Sequence, residues 1–298
     1  MGESKRVALV VGASRGIGRQ IAIDLARNGY SGMNPSGVLK EYPHRDASKT
    51  TPFPPNPNSQ ESTVSTVARE IQEAGGDATP IAVDTYSRLD VLVYNSGAIW
   101  WASVEDTPPK RFQLMQRVNP EGLYLVLHAA LPHLKRERRG RIVVVSPPIY
   151  SRFFRGKTAY AMGKVGMSVL TKGLAMDFDR QELSEMAITS IWPAVAIESA
   201  ATQKFQSANP DESKDLRKPT IFSDALLAIL RSPAAAVNGQ LVLDEDFLRD
   251  HAGVTDFSEY ALVPGSQPRR IMPAELPDLT VREQDDEGKR YDSAKARL

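Results

Sequence analysis

An apolar run that is followed at once by a glycine-rich turn lies near the start of the chain. Val7 to Val11 are all apolar, which is typical of a strand buried on both faces of a parallel sheet. Gly12, Gly16 and Gly18 come next, and apolar residues at helical spacing continue to Asn28-Gly29, a typical helix end. Glycines let a backbone approach a pyrophosphate, and the N-terminus of a helix favours the anion. The segment therefore predicts a strand, a phosphate-binding turn and a helix, with a plain tight turn as the alternative.

A tyrosine and a lysine form the second informative pattern. Tyr160 and Lys164 stand four residues apart, so on a helix they share one face. A phenol is a poor base at its usual pKa of about 10, and a nearby ammonium lowers that pKa. Beside a nucleotide site, the pair is a candidate proton-transfer device. The alternative is an amphipathic helix that carries both residues by chance.

Together, Gly12-x-x-x-Gly16-x-Gly18 and Tyr160-x-x-x-Lys164 resemble the pattern of the short-chain dehydrogenase/reductase superfamily. The resemblance implies an α/β fold with a Rossmann-type doubly wound parallel sheet, in a single domain over residues 1–265. It also implies an oxidoreductase that acts on CH–OH groups with NAD(P) as acceptor. Arg15 implies a preference for NADP, since a guanidinium suits a 2′-phosphate. A solvated arginine is the alternative, and NAD stays open as the cofactor.

The resemblance also implies which residues bind the cofactor. Asp84 ends an apolar stretch and matches the superfamily's adenine-contacting aspartate, with a capping or turn role as the alternative. Asn95 and Gly97 stand where the superfamily has its Asn-Asn-Ala-Gly strand end, although Tyr94 and Ser96 depart from that pattern. The full set comprises Gly12, Ser14, Arg15, Gly16, Ile17, Gly18, Asp84, Asn95, Gly97, Tyr160, Lys164 and Ile197.

Two further catalytic residues are implied, Asn119 and Ser146. Asn119 precedes Pro120, which should disturb the long helical segment because proline lacks a backbone donor. By the resemblance, Asn119 holds a water that links Lys164 to solvent; a kink asparagine is the alternative. Ser146 follows the apolar run 141–145, yet the usual spacing from the tyrosine falls on Pro147. Adjacent strand residues point to opposite faces, so Ser146 reaches a substrate carbonyl only if the chain bends there.

Two stretches depart from the superfamily pattern. Residues 30–60 are rich in strand breakers, so they are predicted as a loop rather than a second strand. Ile81 to Asp84 is typical of a strand, yet only four residues separate it from the next strand at Leu89, whereas a parallel crossover needs about a dozen. We therefore expect the second strand and one crossover helix to be missing or altered. Either residues 79–84 leave the usual strand position, or the chain is shortened or mis-assembled.

Composition excludes several classes of function. The chain has 298 residues, a net charge of +1 and no cysteine, so disulfides, thiolate zinc sites and cysteine nucleophiles are excluded. The neutral balance gives no reason to expect nucleic acid as a partner. The sequence predicts no transmembrane segment, because no apolar run is long enough to span a bilayer. His128 and His133 lack companions at ligand spacing, so no metal site is predicted.

The substrate side and the C-terminus carry weaker signals. Trp100 and Trp101 are interpreted as a wall of the cleft or as packing residues, and residues 198–220 as a mobile lid. Ser-Pro-Pro at 146–148 and Tyr260 to Gly265 resemble the hydroxysteroid dehydrogenase-like protein 2 branch, which implies a lipid-like or fatty-acyl substrate. Residues 266–298 are predicted to be a charged, disordered tail.

Localisation and assembly are also implied by resemblance. Ala296-Arg297-Leu298 resembles a peroxisomal address read by an import receptor, with cytoplasm or mitochondrion as alternatives. The superfamily implies a homodimer or homotetramer.

The hypothesis at this point is NADP(H)-dependent carbonyl reduction or alcohol oxidation on a small-molecule substrate. Tyr160 exchanges the proton at the substrate oxygen, Lys164 tunes that tyrosine and binds the nicotinamide ribose, Asn119 completes the relay and Ser146 orients the carbonyl. The alternative is a catalytically silent nucleotide-binding or interaction module, or a defective gene-model variant.

Overall fold

The chain folds around a parallel sheet, as the sequence predicts. A computed structural model describes residues 5–33, 64–75, 78–79, 88–199 and 201–278. Within these residues the sheet has seven strands in the order β3-β2-β1-β4-β5-β6-β7. The strands are β1 (Val7–Val11), β2 (Ser31–Met33), β3 (Ala78–Thr79), β4 (Val91–Tyr94), β5 (Arg141–Val145), β6 (Ala187–Trp192) and β7 (Leu241–Leu243).

Helices cover both faces of this sheet. Successive side chains of β1 alternate between two hydrophobic cores: Ala8 and Val10 pack with helices α1, α2 and α7, whereas Val7 and Leu9 pack with α4 and α5. This alternation makes the fold a doubly wound α/β domain. The helices are α1 (Gly16–Arg27), α2 (Val64–Glu73), α3 (Pro109–Gln116), α4 (Gly122–Leu134), α5 (Thr158–Arg180), α6 (Gln203–Ala208), α7 (Thr220–Arg231), α8 (Ala234–Val237) and α9 (Asp244–Ala252).

The strand order reverses between β1 and β4, and this point positions the site. From β1 the chain first builds β2 and β3 on one side, and it then crosses to build β4 to β7 on the other. Val11 pairs with Tyr94, so the glycine turn after β1 and the strand end after β4 lie side by side. Ligands of open α/β sheets bind in the crevice at such a switch point.

The second strand is present, which corrects one prediction. Ser31–Met33 form β2 inside the stretch that the sequence predicts to be a loop, and Ser31 N donates to Arg6 O at 2.8 Å. Pairing with β1 supplies this structure, where local propensity indicates none. The next described strand is Ala78–Thr79, and the strand predicted at 81–84 falls outside the described residues. Residues 34–63 and 80–87 lie outside the described residues, so the rest of the predicted loop and the crossover are not described.

Two irregular segments also differ from simple expectation. Pro120 disturbs its helix as predicted, and Arg117–Glu121 form a π-helical turn between α3 and α4. The predicted lid contains α6 and a 3₁₀ turn, Pro210–Asp215. None of the described helices is long and apolar enough to cross a membrane.

The ordered chain continues past residue 265, where the sequence places the start of a disordered tail. Arg270 forms a salt bridge with Asp246, and Met272 is buried against Ala194 and Leu243. The backbone N–H groups of Ile271 and Met272 both donate to Ala194 O. Residues 270–272 therefore pack against the domain, beyond the predicted boundary at 265. Residues 279–298, including the predicted address at 296–298, lie outside the described part of the chain.

Candidate active site

The glycine turn is held closed against the end of β4. Gly12 has φ of +87°, and a Cβ placed on it would lie 2.7 Å from Ser96 N. A Cβ on Gly18 would collide with Gly12 O and would lie 2.5 Å from Asn95 Nδ2. Asn95 Nδ2 donates to Gly12 O at 2.8 Å, which ties the turn to the neighbouring strand end. Only glycine fits at both positions, so this packing of the turn against the strand end depends on the two glycines.

This turn fits the diphosphate of a dinucleotide. It leads directly into α1, whose first N–H groups are available to an anion at the helix N-terminus. Arg15 occupies the N-cap position, and burial lowers the pKa of its guanidinium from the ordinary 12.5. The loop after β6 borders the turn, since Ser199 lies 3.8 Å from the position of a Cβ on Gly16. Ser199 is a site residue that the sequence analysis missed.

Asn119 links the π-helical turn to the strand end after β4. Its Oδ1 accepts from Ala98 N at 2.9 Å, and its Nδ2 donates to Ala98 O at 3.1 Å. The side chain is fully buried. A Cβ on Gly163 of α5 would lie 3.3 Å from Asn119 Nδ2, so the helix that carries Tyr160 packs closely here. Asn119 therefore fixes the loop that borders Lys164.

Lys164 is buried at the centre of the site. Its Nζ donates to Val145 O at 2.8 Å, at the carboxyl end of β5. A Cβ on Gly97 would lie 3.2 Å from Nζ, and the ring centroid of Trp192 lies 5.6 Å away. No carboxylate among the described residues forms a salt bridge with it. Burial consequently lowers the pKa of Lys164 from 10.5 to about 7.

Tyr160 lies among aromatic rings on the substrate side. Trp101 packs edge-on at 6.2 Å and Phe153 lies at 6.1 Å, measured between ring centroids. The tyrosine is 3% exposed, and burial raises the pKa of its phenol above the ordinary 10. The expectation that Lys164 lowers this pKa is not realised, because burial disfavours the charged form of both side chains. At neutral pH the phenol carries its proton.

Ser146 directly follows Val145, whose carbonyl accepts from Lys164 Nζ. Its side chain is fully buried, and its Oγ lies 3.0 Å from Ser168 Oγ. Ser168 stands eight residues after Tyr160 on α5, which is about 12 Å along the helix axis. The Pro147 carbonyl also accepts from Ser168 Oγ, at 2.6 Å. The proline pair thus leaves Ser146 bonded to the helix rather than open to the cleft.

The remaining predicted residues are divided between the site and the core. Ser14, Ile17 and Gly97 are partly exposed beside the turn and the strand end. Ile197 is 4% exposed and belongs to the main hydrophobic core, so its side chain does not face an open cleft. Asp84 lies outside the described residues. The structure therefore brings together the glycine turn, Asn95, Gly97, Asn119, Tyr160 and Lys164.

A buried carboxylate supports the loop after β6, and the sequence analysis missed it. Asp244 accepts from Ala194 N at 2.8 Å and from Glu245 N at 2.7 Å, and burial raises its pKa to about 7. Glu245 in turn pairs with the buried Arg217 at 2.9 Å. The acidic first turn of α9 is the only local sequence signal of this support. Ala194 precedes its partner Asp244 by 50 residues, and Arg217 precedes its partner Glu245 by 28.

Comparisons with known proteins agree with this architecture. A family model described as short chain dehydrogenase matches residues 6–209. Hydroxysteroid dehydrogenase-like protein 2 of Xenopus tropicalis is 33% identical over 274 residues, which cover 86% of this chain and 60% of that protein. The Homo sapiens protein of the same name is also 33% identical, with the same two shares. The chain thus spans about 60% of the length of these relatives.

Solved structures show the same fold. A short chain dehydrogenase of Mycobacterium thermoresistibile is 30% identical with a TM-score of 0.74, covering 92% of this chain and 96% of its own. A 3-oxoacyl (acyl-carrier-protein) reductase of Agrobacterium tumefaciens, solved with NADP bound, has a TM-score of 0.64 over 80% of this chain and 92% of its own. At 23% identity, that second likeness shows the fold alone. On the family match, the fold and the arrangement of the site, the chain belongs to the short-chain dehydrogenase/reductase family.

Proposed function

We propose that the protein is an NADP(H)-dependent oxidoreductase that reduces carbonyls or oxidises alcohols. One observation carries the proposal: Tyr160, Lys164 and Asn119 lie at the same edge of the sheet as a glycine turn that leads into a helix N-terminus and suits a dinucleotide. The family to which the chain belongs is one of oxidoreductases that act on CH–OH groups. A phosphate turn and a proton donor at one switch point supply both halves of a hydride-transfer reaction.

The residues of the chain have distinct tasks in this reaction. NADP(H), when bound, supplies or takes up the hydride. Tyr160 gives its phenolic proton to the substrate oxygen in reduction, and its raised pKa keeps that proton in place at neutral pH. Lys164 binds the nicotinamide ribose and accepts or releases a proton near pH 7. Asn119 holds the 97–98 loop beside Lys164 Nζ and completes the route of the proton to solvent.

NADP rather than NAD is proposed as the preferred cofactor. Arg15 stands at the start of α1, beside the turn that faces the cofactor's phosphates. A guanidinium can bind a 2′-phosphate through two parallel hydrogen bonds. A fold neighbour of the chain has been solved with NADP bound. If Arg15→Ala left the ratio of the NADP and NAD affinities unchanged, Arg15 would not be the source of a preference for NADP.

A lipid-like or fatty-acyl carbonyl compound is proposed as the substrate. Trp101 and Phe153 flank Tyr160 and give the cleft apolar walls. Lys157, one turn before Tyr160, places its Nζ 4.3 Å from the centroid of the Phe153 ring and 5.4 Å from that of Trp101. Apolar walls with a cation at the rim suit an acyl chain that carries an anionic group. The similarity to hydroxysteroid dehydrogenase-like protein 2 also supports this class.

Self-association and a peroxisomal location complete the proposal. The outer faces of α4 and α5 carry exposed apolar side chains, among them Tyr124 at 62%, Met162 at 56% and Val169 at 57% exposed. Such a surface suits a homodimer or homotetramer, which sedimentation would test. Peroxisomal import through Ala296-Arg297-Leu298 is proposed from the sequence alone, and deletion of these residues in a fluorescent fusion tests it.

Titration with NADPH followed by assays of turnover tests the proposed activity. We expect purified protein to enhance NADPH fluorescence and to reduce ketones from a panel that includes 3-oxoacyl compounds. Tyr160→Phe should keep NADPH binding and lose at least about a hundredfold in kcat, since general acid catalysis contributes roughly 10²–10⁴-fold. Tyr30→Phe is the matched control, since Tyr30 is buried just before β2, at the end of the sheet that is opposite to the glycine turn. Absence of NADPH binding would contradict the proposal, whereas binding without turnover in the unmodified protein would support the silent module.

A further inference from the structure

A second cavity lies at the opposite end of the sheet from the candidate active site. It encloses about 550 Å³. It is bordered by the residues that precede or begin β1, β4 and β5, whereas the glycine turn and Lys164 lie at the carboxyl ends of these strands. This volume is in the range of small-molecule sites, roughly 300–1,000 Å³. The lining residues used below are Lys5, Arg6, Arg88, Asp90, Arg139, Arg141 and Glu185.

The lining is strongly cationic. Five basic side chains face two carboxylates, which gives the lining a net charge of +3 in a chain whose total is +1. Asp90 is already satisfied, because it pairs with Arg88 and accepts from Val7 N at 2.7 Å. Its negative charge is thus already paired within the wall of the cavity. The excess of positive charge in a concave site raises the local concentration of anions.

Arg141 provides an unpaired donor in this wall. Its Nη2 donates to Ser232 O at 3.1 Å, whereas its Nη1 is buried and has no hydrogen-bond partner. A buried guanidinium N–H without a partner is unfavourable, and burial lowers the pKa of Arg141 despite the attraction of Glu185. Arg6 is held at the rim by the ring of Tyr30, with its guanidinium carbon 5.0 Å from the ring centroid. Arg141 and Arg6 are thus each held in place by a different contact, with Ser232 O and with the ring of Tyr30.

We propose that this cavity binds a small polyanion that carries phosphate groups. Lys5, Arg6 and Arg139 would bind the phosphate oxygens from the rim, and Arg141 would add its positive charge from the wall. Phosphate matches the geometry of a guanidinium and the excess of positive charge. The site is distinct from the glycine turn, so it adds a second anion site to the proposed cofactor site and does not depend on it.

Calorimetric titration of the full chain with inorganic pyrophosphate, at constant ionic strength, tests this site. The titration is done with and without saturating NADPH, because pyrophosphate can also enter the glycine turn. The variants are Arg141→Gln, which removes the buried donor, and Arg139→Glu, which reverses an exposed charge that the fold does not need. The control is Arg69→Glu on α2, whose side chain is 69% exposed and lies outside the cavity.

We expect pyrophosphate to bind the NADPH-loaded protein. Arg141→Gln and Arg139→Glu should each weaken that binding at least tenfold, whereas Arg69→Glu and the affinity for NADPH should stay unchanged. Equal effects of Arg139→Glu and Arg69→Glu would overturn the proposal, since they would indicate a diffuse surface effect. Complete loss of pyrophosphate binding when NADPH is added would overturn it too. If NADPH itself does not bind, the affinities of the same variants for pyrophosphate without NADPH still test the proposed site.

Discussion

Replacement of Lys164 by methionine should stabilise the protein in the absence of ligand, and the gain should shrink as the pH rises. Lys164 is 3% exposed, and burial lowers its pKa from 10.5 to about 7. The unfolded chain therefore binds this proton more tightly than the folded chain does. Between about pH 7 and pH 10 the unfolded state carries more protons, so the free energy of unfolding of the wild type rises with pH.

The magnitude follows from the two pKa values. The charged form is disfavoured in the fold by up to about 5 kcal/mol, at ~1.4 kcal/mol for each tenfold change in proton affinity. The resulting penalty on the wild type is about 4 kcal/mol at pH 7 and about 2 kcal/mol at pH 9. Loss of the hydrogen bond to Val145 O costs the variant ~1 kcal/mol at every pH. Lys164→Met should thus gain about 3 kcal/mol at pH 7 and about 1 kcal/mol at pH 9.

Urea unfolding of both proteins at pH 7, 8 and 9, followed by circular dichroism, measures this difference. Lys172→Met is the matched control, since Lys172 lies on the same helix but is partly exposed. Its stability relative to the wild type should not change with pH. If the free energies of unfolding of Lys164→Met and the wild type differ by the same amount at pH 7, 8 and 9, the argument from burial is refuted. Loss of stability in Lys164→Met at pH 7 would also refute it.

Three further predictions concern the supporting structure. Burial raises the pKa of Asp244 to about 7, so the wild type should lose stability from about pH 4 to pH 7, and Asp244→Asn should remove up to about 4 kcal/mol of that loss. Urea unfolding at pH 5 and pH 7.5 measures it, and a gain that does not grow with pH would contradict it. Gly18→Ala forces a Cβ against Asn95 and should weaken NADPH binding at least tenfold in a fluorescence titration. Gly173→Ala adds a Cβ in open space on α5 and should leave the affinity for NADPH unchanged. Equal affinities of the two variants would disprove the steric reason. Phe178→Ala empties a fully buried site and should cost about 3–5 kcal/mol in urea unfolding, and a loss below ~1 kcal/mol would show that the core repacks around it.

The parts of the site that depend on local sequence could be predicted from the sequence. The strand and the glycine turn are contiguous, and the close approach of Gly18 to Gly12 O lies within that one segment. Tyr160 and Lys164 share a helix face because of their spacing alone. Asn119 was identified from the family resemblance, and the break that Pro120 predicts beside it is a π-helical turn. In each case the signal lies within a few residues of the feature.

The parts that depend on distant contacts could not be predicted. The three residues of β2 contain glycine and serine, and they form a strand because Ser31 pairs beside Val7. Asp244 reaches Ala194 across 50 residues, and Arg217 reaches Glu245 across 28. The direction of the pKa shift at Tyr160 was also missed, because it depends on how deeply the helix is buried rather than on its neighbour Lys164.

Burial of the pair has a consequence for the direction of the reaction. A phenol with a raised pKa holds its proton at neutral pH, and a lysine with a pKa of about 7 is only partly charged there. In the proposed reaction, reduction starts from this protonated phenol, whereas alcohol oxidation starts from the phenolate, which burial disfavours. The hydroxyl of Ser146 is bonded to Ser168, about two turns along α5 from Tyr160. In the proposed reaction, the polarisation of a carbonyl falls to Tyr160, whose protonated form is the one that burial favours.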